Sequence, residues 1–300
     1  MTVTIHLEVR DTLAAGGAVV ALESTIFSHL GLPSPANAEA LARCLRIIRA
    51  SGAVPAVTAV IDGVARVGLD ASEHDRILGP ARKAGEREVA IAVAQRWAVG
   101  ATTVSASLLL AHAAGIGVFA TGGIGGVHRD AHVTGDISAD LGAIAAHPVV
   151  TVCAGAKSFL DLPRTLEHLE TLGVPVLGLA TDDLPAFTVR SSGIPIPARV
   201  ETVDELAAVV SAHRALGRRG GLLACVPVPE AEAVDAATVY AAIDAALADA
   251  TERGIGGAAV TPHVLSYIAR ATGGESVTAN LALAENNARV AAELAVALTR

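Results

Sequence analysis

The sequence predicts an α/β protein: three α/β/α layers around a mixed, largely parallel central sheet. Short β-branched runs alternate with alanine-rich amphipathic segments, the pattern of strands joined by crossover helices. Several of these runs are apolar throughout rather than alternating, as strands buried on both faces must be. With 300 residues and 52% hydrophobic content, the chain can bury a large core. We read it as one domain over residues 1–300.

Taken in order, residues 17–22 form the first strand, an apolar run closed by Glu23. A helix follows over 36–50, then a strand over 54–61. Asp62-Gly63 is a two-residue hairpin signal that returns the chain through Val64-Ala65-Arg66-Val67, which makes the sheet mixed. Helices over 87–98 and 105–114 lead to a strand over 116–121, which runs into Gly122-Gly123-Ile124-Gly125-Gly126. A helix over 138–146 precedes a strand over 149–154, and a helix over 162–172 precedes a strand over 174–180. Residues 190–199, with Ser191-Ser192-Gly193 and two prolines, form a surface connection or a lid. A helix over 203–216, a strand over 222–226 and helices over 236–250, 262–271 and 278–298 complete the chain. Thr278 is the expected N-cap of the last helix, which carries a long apolar stripe.

Composition excludes several functions. There is no uninterrupted apolar stretch long enough to span a bilayer, and the N-terminal residues lack the pattern of a signal peptide, so a cytoplasmic protein with no membrane partner is expected. The net charge is −8 and the basic residues are scattered, which argues against a nucleic-acid polymer as partner. Cys44, Cys153 and Cys225 lie far apart with no CxxC spacing and read as core residues. Aromatic residues make up only 2%, so a planar ligand would rest on aliphatic and backbone surface.

The residues that can do chemistry stand at strand ends. Lys157 follows the buried run Val149-Val150-Thr151-Val152-Cys153-Ala154-Gly155-Ala156, at the carboxyl end where parallel sheets place their sites. Partial burial would lower its pKa and leave a free amine able to form a Schiff base with a sugar aldehyde; the competing reading is a snorkelling surface lysine. Glu23 ends its own strand in the same way, as a general acid or as half of an ion pair. The glycine-rich turn after residue 121 lets backbone amides approach an oxyanion, and His128 and Arg129 follow it. Lys83 adds a cation suited to phosphate, unless it belongs to a solvated face. Asp136-Ile137-Ser138-Ala139-Asp140 places two carboxylates and a hydroxyl at a helix start. Capping needs one side chain, which leaves a carboxylate for a base or for an oxygen-ligated Mg²⁺ or Mn²⁺. An amine, an acid, a second carboxylate and an anion cradle together describe a phosphosugar site.

The sequence resembles the pseudouridine-5′-phosphate glycosidase family, also called indigoidine synthase A-like. The resemblance rests on Ala21-Leu22-Glu23-Ser24-Thr25-Ile26, Gly52-Ala53-Val54-Pro55-Ala56, Gly100-Ala101-Thr102-Thr103-Val104, Phe119 through Arg129, Asp136 through Leu141 and Cys153-Ala154-Gly155-Ala156-Lys157-Ser158. Thr272 through Ser276, Asn280, Asn286 and Asn287 fit as well, so the likeness runs from near Ala15 to the C-terminus. It implies a homotrimer that reversibly cleaves the carbon–carbon glycosidic bond of pseudouridine 5′-phosphate to ribose 5-phosphate and uracil. It also implies Glu23 as proton donor to the ring oxygen, and Lys157 attacking C1′ to hold the sugar as an iminium after uracil leaves through C5. A bond with no protonatable leaving oxygen makes covalent amine catalysis reasonable. The same resemblance assigns Mn²⁺ (or Mg²⁺) to Asp136, and substrate contacts to Ser138, Ala139 and Asp140. It extends substrate contacts to Lys83, Thr103, Val104, His128 and Asn280, and gives Asp140 a catalytic part.

The sequence departs from the family pattern at Leu30, which looks like an insertion after His29, and at Leu32 through Asn37 and Thr188, where smaller residues suggest a roomier acceptor pocket. That keeps open a C-glycosynthase of the prealnumycin type, which joins ribose 5-phosphate to an aromatic polyketide. An aldolase using the same amine and a noncatalytic phosphosugar sensor are the readings from other classes.

Overall fold

In the computed structural model, which describes residues 3–257 and 260–300, eleven strands and twelve α-helices follow one another along the described residues. The strands are β1 (Thr4–Ile5), β2 (Val19–Leu22), β3 (Val54–Ile61), β4 (Val64–Val67), β5 (Arg82–Ala84), β6 (Val99–Thr102), β7 (Val118–Ala120), β8 (Val150–Cys153), β9 (Val176–Leu179), β10 (Ala198–Val200) and β11 (Leu222–Cys225). The first six helices are α1 (Leu7–Ala14), α2 (Ala36–Ala50), α3 (Ala71–Leu78), α4 (Glu86–Ala94), α5 (Val104–Ala114) and α6 (Ala131–Thr134). The rest are α7 (Ala139–Ala146), α8 (Leu162–Thr171), α9 (Val203–Ala215), α10 (Ala236–Glu252), α11 (Val260–Ala271) and α12 (Glu275–Ala297).

The sheet runs β1-β4-β3-β2-β7-β8-β11-β9-β10, with β6 joining β3 to β5. All pairs are parallel except β3 with β4 and β3 with β6, so the expected mixed, largely parallel sheet is present. Every residue of the central strands β2, β8 and β11 is buried, which is why their sequences read as unbroken apolar runs. The hairpin between β3 and β4 turns at Asp62 and Gly63, both at positive φ, and brings Ile61 opposite Val64. Helices flank the sheet: α12 packs with α2 and α9 and lies against β2, β7 and β8, while α5 packs with α4 and α7. All three cysteines are free and buried. Among the described residues, no helix is long and apolar enough to cross a membrane.

Some elements differ from the sequence expectation. The last helix starts at Glu275, not Thr278, because Gly273 and Gly274 adopt positive φ and Thr272 Oγ1 accepts the Ser276 amide at 3.2 Å. The helix expected over 87–98 stops at Ala94, since Arg96 turns to φ 51° and Trp97 is drawn under the Arg82 guanidinium. Residues 190–199 are bound to the segment before them rather than free as a lid: Leu184 donates to Ile194 at 2.8 Å and Ile196 to Asp182 at 2.8 Å, and their last two residues enter β10. Helix α11 (Val260–Ala271) includes Val260 and Thr261, ahead of the expected start at residue 262.

Candidate active site

The parallel register of β2 and β7 creates the first pair of the site. Leu22 lies opposite Ala120, so the next residue of each strand, Glu23 and Thr121, leaves the sheet side by side. The Thr121 hydroxyl donates to Glu23 Oε1. Glu23 is only 8% exposed. Burial pushes its carboxyl up to about 7, against the pull of Lys157, Thr121 and Lys83, while Asp140 reinforces the rise. The backbone around Glu23 is pinned by buried hydroxyls. Thr58 Oγ1 donates to Leu22 O at 3.1 Å and shares a 2.8 Å hydrogen bond with Thr102 Oγ1, which meets Ser24 Oγ at 3.1 Å.

Lys157 arrives from the neighbouring strand through a zipper of backbone hydrogen bonds. Ala154 N donates to Gly122 O at 2.9 Å, Ile124 N to Gly155 O at 3.0 Å and Lys157 N to Ile124 O at 3.1 Å. The glycine-rich turn after β7 and the turn after β8 therefore fold as one unit that carries the half-buried amine. Gly123 is required by close approach, since a Cβ there would stand 2.6 Å from the Phe187 ring. Phe187 itself holds φ 61°, an uncommon conformation for an aromatic residue and a sign of strain at this turn.

Lys83 lies on β5, whose register with β6 places it beside Ala101, just ahead of Thr103 and Val104 at the start of α5. Its side chain keeps substantial surface. Even so, desolvation around the amine and repulsion from Lys157 hold its pKa below the usual lysine value, against Asp140, Glu23 and Glu88. Glu23, Lys157, Lys83 and Asp140 thus form one electrostatically coupled group.

Asp140 is 7% exposed and has both oxygens engaged: Oδ1 accepts Ser105 N at 3.1 Å and Oδ2 accepts Gly125 N at 2.9 Å. It ties the first turn of α5 to the glycine-rich turn, an anchoring geometry. Ser138, rather than Asp140, caps α7, accepting Asp140 N at 3.3 Å, and it packs so closely on Gly125 that a Cβ there would meet Ser138 Oγ at 2.3 Å. Ala139 opens that helix and is exposed.

Asp136 and His128 form a separate pair on the flap that α6 closes. His128 N donates to Asp136 O at 3.1 Å, and the imidazole Nε2 lies 3.8 Å from Asp136 Oδ2. Among the described residues, no three His, Cys, Asp or Glu side chains gather as a metal cage. The donor set fits a largely hydrated ion held by the single half-exposed Asp136 carboxylate, the manner in which Mg²⁺-like ions are bound. On α12, Asn280 is buried with its Oδ1 unpartnered among the described residues, and it faces Gly122, where a Cβ would stand 3.4 Å from it. Two buried residues of the site, Thr121 and Ser105, were not singled out from the sequence. The only available signal for them was position, one residue past a strand end and in the first turn of a helix.

Leu32 and Thr188, where sequence suggested a roomier pocket, are both buried in the protein, at 2% and 3% exposure. An open groove of about 320 Å³ at the ends of β9 and β11, lined by Arg190, Arg289 and Glu293 among others, contains none of the candidate site residues.

Residues 8–297 match the family model described as indigoidine synthase A like protein. A pseudouridine-5′-phosphate glycosidase of Methylobacterium nodulans is 51% identical over 97% of this chain and 86% of its own length. One of Myxococcus xanthus is 51% identical over 98% of this chain and 97% of its own. Among solved structures, the prealnumycin C-glycosynthase in complex with ribulose 5-phosphate superposes with a TM-score of 0.91 at 38% identity, covering 100% of this chain and 97% of that one. An indigoidine synthase A-like protein of Thermotoga maritima gives 0.89 at 34% identity, with the same coverage.

Proposed function

The chain belongs to the indigoidine synthase A like family, and from that premise we propose that it is a pseudouridine-5′-phosphate glycosidase working through an imine on Lys157. The observation that carries this reading is a buried carboxyl at about 7 in the same coupled group as a half-buried amine, at the ends of the two parallel strands that flank β7. A carboxyl poised near neutrality can give up a proton, and a half-buried lysine amine at a strand end can act as a nucleophile.

The Lys157 nitrogen forms a bond to C1′ of the ribose as the C1′–O4′ bond breaks, and O4′ takes the Glu23 proton. The nitrogen then loses its own proton, and its lone pair forms the C1′=N bond as the C1′–C5 bond breaks. C5 of uracil takes up a proton, and water hydrolyses the imine to ribose 5-phosphate. Lys83 provides the cation for the phosphate, and the glycine-rich turn, fixed by Asp140 and Ser138, provides backbone amides beside the sugar. Asp136 would hold a hydrated Mn²⁺ or Mg²⁺, which supplies positive charge where negative charge gathers. A cytoplasmic homotrimer is part of the same proposal, by family likeness.

Uracil is preferred over a polyketide acceptor because identity to the named glycosidases is 51%, against 38% to the C-glycosynthase. The complex of that relative with ribulose 5-phosphate supports a pentose phosphate in the shared fold. Chromatography of pseudouridine 5′-phosphate incubated with the protein and Mn²⁺ tests the proposal. Release of uracil is expected, and an intact substrate beside product formed only from an aromatic polyketide would replace it with the synthase.

A further inference from the structure

A general acid must hold its proton on the oxygen that faces the acceptor, and the structure shows how that choice is made at Glu23. Oε1 accepts the Thr121 hydroxyl, and among the described residues no other side chain or amide hydrogen-bonds the carboxyl. The Thr121 hydroxyl has no other acceptor among the described residues, so it donates to Oε1 and leaves the acid proton on Oε2, the carboxyl oxygen without a partner there. The hydroxyl is itself fixed. Thr121 N donates to Val152 O at 3.0 Å, and Thr121 O accepts the side-chain amide of Asn287 at 2.8 Å, which also reaches Gly122 O at 3.2 Å. Asn287 is completely buried on α12, and among the described residues the only hydrogen bonds its side chain makes are to these two carbonyls and its Oδ1 has no partner.

Thr121 is 5% exposed, and a valine of the same shape would fill the space without burying a hydroxyl. The hydroxyl therefore has a purpose besides packing. Resting on the glycosidase reading, we propose that Thr121, held from behind by Asn287, is a positioning residue that places the Glu23 proton on Oε2, the oxygen left for the sugar ring. The other groups facing Glu23 are Lys157 and Lys83, which favour the carboxylate, and Asp140, which opposes it. Among the described residues, Thr121 alone hydrogen-bonds one of the two oxygens.

The test compares wild type, Thr121→Val and Thr121→Ser for cleavage of pseudouridine 5′-phosphate across pH, together with the infrared band of the protonated Glu23 carboxyl, assigned by difference against Glu23→Gln. Thr121→Val is expected to lower kcat about 10- to 100-fold, the scale of a misplaced reacting group, with KM little changed. Its alkaline limb moves to higher pH because the carboxylate has lost a donor. The carbonyl band shifts to higher frequency, and Thr121→Ser restores all three readouts. Thr121→Ala replaces the valine variant if that variant does not fold. A wild-type kcat, pH profile and band in Thr121→Val, or a serine variant as impaired as the valine, would overturn the proposal. If wild type itself does not cleave the substrate, the glycosidase reading fails, while the band still decides which oxygen carries the proton.

Discussion

Gly155 passes so close to Pro185 that a Cβ at residue 155 would stand 1.9 Å from the Pro185 carbonyl oxygen. Gly155 also holds φ 74° and precedes Lys157 by two residues, with its carbonyl accepting Ile124 N at 3.0 Å. The segment around Pro185 is thus a clamp on the loop that presents the amine. Gly155→Ala is expected to fail on both counts, backbone strain and steric overlap, with a cost of about 3 kcal/mol or more. Urea unfolding monitored by circular dichroism checks this, and activity should fall further than stability does, because the loop carrying Lys157 must move.

The raised carboxyl of Glu23 makes stability depend on pH. In the unfolded chain the group ionises near its ordinary value of 4.5, whereas in the folded protein it keeps its proton to about 7. The stabilisation relative to the ionised form is complete below about 4.5 and is lost as pH rises to about 7, a decline of about 3 kcal/mol at ~1.4 kcal/mol per unit. Glu23→Gln should therefore be inactive yet more stable than wild type at pH 8, and the gain should vanish at pH 4. Thermal unfolding at the two pH values measures it.

Asp140 joins two elements through backbone amides, so its loss should be read in the fold as well as in the rate. Asp140→Ala leaves the Ser105 and Gly125 amides without their partner and should cost about 2–5 kcal/mol, while Asp140→Asn keeps one acceptor and costs less. Equal and small losses in the two variants by urea unfolding would mean that water replaces the carboxylate.

Much of this was legible in the sequence because burial leaves its mark there. The wholly buried β2, β8 and β11 read as apolar runs, and their ends point to Glu23 and Lys157. Asp62-Gly63 announced the β3–β4 hairpin through backbone chemistry alone. Strands β5 and β6 were missed because Arg82-Lys83-Ala84 and Val99 through Thr102 are too short and mixed to show a period, and only their pairing makes them strands. Helix α3 could have been found, since Asp70 and Glu73 form a capping box. The Asp140 anchor and the Thr121 contact depend on register between distant segments, which no local pattern records.

The central claim is that Lys157 forms a covalent imine with the sugar, and trapping it is the most direct test. Protein incubated with ribose 5-phosphate and borohydride is digested and analysed by mass spectrometry, with Lys157→Ala alongside. The account predicts a reduced pentose phosphate adduct on the peptide carrying Lys157 and none in the variant. Uracil release from pseudouridine 5′-phosphate by wild type without any adduct, or undiminished release by Lys157→Ala, would contradict it.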